Sequence, residues 1–111
     1  TEQLTNAKTC CESLNIPFHR GICFGLQGPS LDTPAAYRMI HWLGADIVGM
    51  STVPEVIVAC HMEMETFGIS VITDMGNEDS IDTVSHDEVL EAAKKAEPHV
   101  RNLIKELIKH Y

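Results

Sequence analysis

Apolar residues recur along this chain in two rhythms, one with helical spacing and one with strand spacing. Leu4, Ala7, Cys11 and Leu14 follow one another at three- and four-residue steps, which predicts an amphipathic helix ending near Asn15, ahead of Pro17. Ile22, Phe24 and Leu26 then alternate with Cys23, Gly25 and Gln27, the pattern of a strand. Gly28-Pro29-Ser30 breaks that strand, and Thr33-Pro34 opens a second helix carrying Ala36, Met39, Ile40 and Leu43. A short strand over residues 47–50, an apolar helix over residues 53–64 and a further strand over residues 67–73 follow. The polar stretch MGNEDSIDTV (residues 75–84) leads into the last helix, where Ser85 and Glu88 form a capping box. Val89, Ala93, Ala96, Val100, Leu103 and Leu107 line one face of that helix, and Pro98 inside it predicts a kink or a split. Strands alternating with helices make an α/β chain, in which chemistry belongs at strand ends and loops. No repeat, low-complexity tract or internal domain boundary interrupts it.

The densest junction is GADIVGMSTVPEVIVACH, residues 44–61. A helix stops at Gly44, which suits a left-handed helix end, and a strand begins at once. The polar turn Ser51-Thr52 then starts the apolar helix, with Thr52 and Glu55 spaced as a capping box and Pro54 in the first turn. A strand ending on a helix N-terminus can hold an anion, because unpaired N–H groups and the helix dipole point at whatever lies there. It is equally an ordinary β-turn-α unit with a good cap.

Composition narrows the function classes. The chain has 111 residues, 44% of them hydrophobic, enough for one domain with a real core. Its formal net charge of −8 argues against a nucleic-acid groove or an anionic membrane surface. No run is long enough to span a bilayer, and no basic segment precedes an apolar one as in a secretory signal. Cys10, Cys11, Cys23 and Cys60 show neither a CxxC pair nor scaffold spacing, so reduced thiols in a cytoplasmic protein are the simplest account. The run Cys60-His61-Met62-Glu63-Met64 does not read as a metal site, because consecutive helix residues point in different directions.

Three strings, GPSLDTPAAYR (residues 28–38), GMSTVPEVIVA (residues 49–59) and ISVITD (residues 69–74), resemble signatures of the trimeric purine nucleoside phosphorylases in order and spacing. The resemblance covers essentially the whole chain, which looks like the C-terminal part of one phosphorylase domain. It implies the C-terminal portion of that family's fold, a mixed β-sheet flanked by helices. It also implies a pentosyltransferase that cleaves purine nucleosides with inorganic phosphate to free base and pentose 1-phosphate. Such a reaction needs a bound phosphate, a hold on the ribose and stabilisation of charge developing on the departing purine. No cofactor or metal is implied; phosphate is a co-substrate.

Residue by residue, the resemblance carries purine contacts to Leu31, Asp32 and Asp74, and ribose contacts to Cys23, Met50 and His86. Ser51 matches a phosphate contact, while Asp74 and His86 match catalytic positions. Each has a plainer structural role: Asp32 as a helix-start acid, Met50 as core, Ser51 as a turn, His86 as an exposed first helical residue, Asp74 as a cap on the turn at Met75-Gly76. His19, His41, His61, His99 and His110 have no counterpart and read as structural or surface residues. Four positions depart from the family. Asp32 stands for the usual Glu, one methylene shorter. Leu31 replaces an aromatic and Cys23 a tyrosine. Asp74 stands where strict 6-oxopurine phosphorylases carry Asn, and an ionised Asp only accepts, which suits a 6-amino group.

Family members are more than twice this length, and their phosphate loop and a neighbouring subunit's aromatic lie in the N-terminal half, missing here. The implied assembly is a homotrimer that includes that half, the chain alone being inactive. Two alternatives stay open: 5′-methylthioadenosine phosphorylase, disfavoured by Asp32 and Ser51, and a non-catalytic fragment or assembly subunit. The helix over residues 53–60 is apolar almost all round, which predicts burial on several sides and an isolated chain that is weakly stable or self-associating.

Overall fold

The computed structural model describes residues 2–76 and 85–110. Its elements run α1 (Glu2–Ser13), β1 (Cys23–Gly25), α2 (Pro34–Trp42), β2 (Ile47–Gly49), α3 (Thr52–His61) and α4 (His86–Leu107), with a 3-10 turn at Ile108–His110. They form two compact units: α1 and α4 belong to the first, and α2, α3 and both strands to the second. Most of the polar stretch over residues 75–84 lies outside the described residues.

In the first unit α1 packs on α4. Its core is Ala7, Cys10 and Cys11 from α1 with Leu103 and Leu107 from α4. Small side chains on α1 let the helices approach closely, and the leucines fill the space left. Leu4 and Leu14, expected on the same face, are half-buried. On α4 the predicted inward line holds except at one place, where Ala92 is half-buried and Ala93 is exposed. At 100° per residue the two alanines sit about 50° to either side of the stripe's centre, so periodicity could not choose between them. Helix α4 begins at Ser85 with both halves of the capping box formed, Glu88 N–H to Ser85 Oγ at 3.3 Å and Ser85 N–H to Glu88 Oε2 at 2.8 Å. It runs through Pro98 without splitting.

The second unit is built on a parallel pair, with Cys23 opposite Ile47, Phe24 opposite Val48 and Gly25 opposite Gly49. The Asp46 carboxylate clamps the start of that pair, accepting the Ile22 N–H at 2.7 Å, while Asp46 N–H donates to Ile22 O at 3.0 Å. Leu26 N–H extends the ladder to Gly49 O at 3.0 Å. Helix α2 starts at Thr33, whose hydroxyl accepts from Ala36 N–H, and ends with Gly44 at φ +87° and Ala45 N–H on Ile40 O. That left-handed termination recurs with less suitable residues, at Asn15 (φ 54°) after α1 and at Glu63 (φ 57°) after α3.

Three expectations are corrected in this unit and beside it. The cap of α3 is Ser51, not Thr52, and it makes no capping side-chain bond. With Ser51 at the cap the third helical residue is Pro54, so Glu55 falls one place too late to complete a box. Helix α3 stops at His61 rather than Met64, because Glu63 turns left-handed and Met64 N–H closes on Ala59 O. Residues 67–73 form no strand, since a strand needs a ladder partner and, among the described residues, only β1 and β2 pair. In this chain α3 is covered on one side, which leaves apolar surface open as its all-round apolar pattern leads one to expect of an isolated part. Val53, Val56 and Ala59 are half-buried, whereas Ile57 and Val58 stand 63% and 59% exposed.

Candidate functional site

Strand pairing decides where the candidate side chains stand. Because β1 and β2 are parallel and in register, the loop after β1 and the turn after β2 leave from the same end of the pair. Cys23, Leu31, Asp32, Met50 and Ser51 all belong to this second unit. Cys23 sits on β1, half-buried, its thiol near its neighbour's carbonyl. Leu31 is 58% exposed and Asp32 half-buried, both just ahead of the Thr33 cap.

Met50 follows β2 directly and Ser51 caps α3, so the two lie where a strand hands over to a helix N-terminus. Met50 reaches back to the loop after β1: a Cβ on Gly28 would lie 2.4 Å from its sulfur. The Gly28–Pro29 bond is cis, and Gly28 has φ +68°. The register and this contact join the turn at Met50-Ser51 to the loop that leads to Leu31 and Asp32. What results is a partly apolar surface that carries the Ser51 hydroxyl and the Asp32 carboxylate beside the N-terminus of α3, where helix-start N–H groups favour an anion.

Asp74 and His86 belong to the first unit. Asp74 is half-buried and its Oδ1 accepts from the Thr73 hydroxyl at 3.0 Å. His86 is the first residue of α4, exposed, directly after the Ser85 cap.

Three residues that support these loops escaped sequence reasoning. Asp46 holds the start of the pair, Gly25 lies so close to Val53 that its Cβ would stand 2.8 Å from the valine Cβ, and Gly28 meets Met50. A polar residue wedged between the helix-ending Gly44 and an apolar strand was a usable signal for Asp46. The glycine contacts are long-range and left no local trace.

Residues 2–109 match the family model described as the phosphorylase superfamily, and the chain belongs to that family. It is 41% identical over 105 residues to purine nucleoside phosphorylase 1 of Bacillus subtilis, a match covering 95% of this chain and 39% of that protein. Among solved structures it is similar to Schistosoma mansoni purine nucleoside phosphorylase in complex with inosine, with TM-score 0.92, 28% identity, and coverage of 99% of this chain and 40% of that one. The same organism's enzyme in complex with adenosine matches with TM-score 0.92 at 29% identity, over 96% of this chain and 40% of that one. The chain thus spans about two fifths of the length of these relatives. Among the described residues no helix is long and apolar enough to cross a membrane.

Proposed function

We propose that this chain carries the C-terminal part of a purine nucleoside phosphorylase, which transfers a pentosyl group from a purine to inorganic phosphate without a cofactor. The observation that carries the reading is the β2–α3 junction. Met50 offers an apolar thioether suited to the sugar face, and the next residue, Ser51, does not spend its hydroxyl on the helix cap. That hydroxyl and the first N–H groups of α3 would donate to phosphate, leaving Met50 on the ribose.

The loop after β1 would bring Leu31 against the purine face and Asp32 to the ring N1–H, with Cys23 facing the sugar. Asp74 would meet the purine at N7 and its 6-substituent, where charge develops as the bond breaks, and His86 the 5′-hydroxyl. The Schistosoma mansoni relative is seen in complex with inosine in one structure and with adenosine in another, so a 6-oxo and a 6-amino purine both fit that enzyme. The working assembly would be a cytoplasmic homotrimer in which the remaining three fifths of the fold supply the rest of the phosphate site.

The test is phosphate-dependent release of base from inosine, guanosine and adenosine. It is run on this chain alone and on this chain co-expressed with the N-terminal part of the Bacillus subtilis relative. Base and pentose 1-phosphate formed in either preparation, and only with phosphate, carry the reading. Release without phosphate would make the protein a hydrolase, and no release in either preparation would leave a non-catalytic piece.

A further inference from the structure

Gly28 meets Met50 across the two loops that leave the strand pair, and two separate restrictions converge on that glycine. Its φ of +68° is one that side chains rarely adopt. A Cβ there would also stand 2.4 Å from Met50 Sδ and 3.1 Å from Met50 Cε, well inside contact distance. Met50 is 37% exposed, and its side chain has three rotatable bonds and no strong hydrogen bond to offer, so the shape of its surroundings decides where the thioether lies. Its backbone is firm by contrast, following Gly49, whose carbonyl accepts from Leu26 N–H at 3.0 Å.

We propose that Gly28 is a positioning residue for Met50: the missing Cβ leaves a slot on the loop after β1, and the thioether lies in that slot. The inference rests on the reading of Met50 as ribose-facing, since the slot then sets where the sulfur and methyl meet the sugar. The overlap from a new Cβ would fall on the far end of a flexible side chain. Met50 would move, not the strands, so substitution at Gly28 changes the placement of one group while the fold stays. Side-chain size at position 28, which itself touches no substrate, thereby controls nucleoside binding through Met50.

The experiment follows the five methionine ε-methyl groups by NMR in the full chain, with Met50→Ala assigning the resonance of interest. Gly28→Ala and Gly28→Asn are compared, because Asn tolerates positive φ yet still carries a Cβ. Both should shift the Met50 methyl and remove its cross-relaxation with the α-proton of residue 28, leaving the methyls of Met39, Met62, Met64 and Met75 in place. A Met50 methyl that stays put in both variants overturns the proposal. A shift in the Ala variant alone also overturns it, since backbone strain would then be the cause. Titration with inosine and phosphate of the chain co-expressed with the N-terminal part of the Bacillus subtilis relative should move the Met50 methyl, with half-saturation raised at least fivefold in both variants. If inosine leaves that methyl unmoved in the co-expressed complex of the unsubstituted chain, the ribose-facing reading fails, while the cross-relaxation comparison still decides the slot by itself.

Discussion

Replacing Gly25 by alanine tests the packing of α3 on β1. Gly25 ends β1, and a Cβ there would lie 2.8 Å from Val53 Cβ and 3.1 Å from each of its two Cγ atoms. Carbon atoms prefer about 3.5–4.0 Å, so the pair must separate by roughly 1 Å. Val53 cannot swing aside, because a β-branched side chain in a helix has essentially one rotamer. The first turn of α3 or the end of β1 must therefore move. Overpacking of this kind costs about 1–3 kcal/mol. Against it, removing a glycine reduces the entropy of the unfolded chain, worth about 0.4–1 kcal/mol. The balance is a loss of about 1–2 kcal/mol, or a fall in Tm of about 4–8 °C for a chain of this size. Gly49, opposite Gly25 in the register, has nothing within 4 Å of its Cβ direction and serves as the control. Urea unfolding followed by circular dichroism should show Gly25→Ala with a lower midpoint at unchanged slope, and Gly49→Ala neutral or slightly more stable. Equal midpoints for the two variants would refute the close approach of β1 and α3.

Other consequences can be measured separately. Glu63→Gly should stabilise the chain by about 1 kcal/mol in the same unfolding assay, because Glu63 sits at φ 57° where a Cβ is unfavourable. Ser85→Ala should cost about 1 kcal/mol through the lost cap, whereas Thr52→Ala should change the stability by less than about 0.5 kcal/mol since Thr52 is not the cap. Cys60 is exposed and should react first with a thiol reagent in the native state, while Cys10 and Cys11 stay protected. Burial first, and Cys10 beside it second, push the Cys11 thiol up from its ordinary value. The unfolded chain therefore gives up that proton sooner, so stability is intact below the ordinary thiol range and declines as pH rises through it; a midpoint flat from neutral to alkaline pH would contradict this. If the proposed phosphorolysis holds, Asp74→Asn should shift preference from adenosine toward inosine, because an amide can donate to O6 where an ionised carboxylate only accepts. An unchanged ratio of the two specificity constants would remove Asp74 from base recognition.

Local chemistry was legible in the residues themselves. Thr33-Pro34, Gly44 and the Ser85–Glu88 pair act within a turn of where they stand, and each ends or begins its helix as its type dictates. The β1 and β2 segments were equally plain, as was the apolar stripe of α4 apart from the choice between Ala92 and Ala93. The likeness in residues 28–38 and 49–59 already pointed to the family that residues 2–109 match. What the pattern could not decide depends on a partner far along the chain. Residues 67–73 carry strand-like alternation, yet a ladder is formed by two segments and no second one pairs with them among the described residues. The cap of α3 slid to Ser51, where backbone geometry displaced a side-chain rule that Thr52 and Glu55 satisfied on paper. Asp46 on Ile22, Val53 on Gly25 and Met50 on Gly28 exist only because the strands pair in one register. Propensity and capping act over a few residues and are written in the chain, whereas contacts between distant residues arise only when the backbone has closed around them.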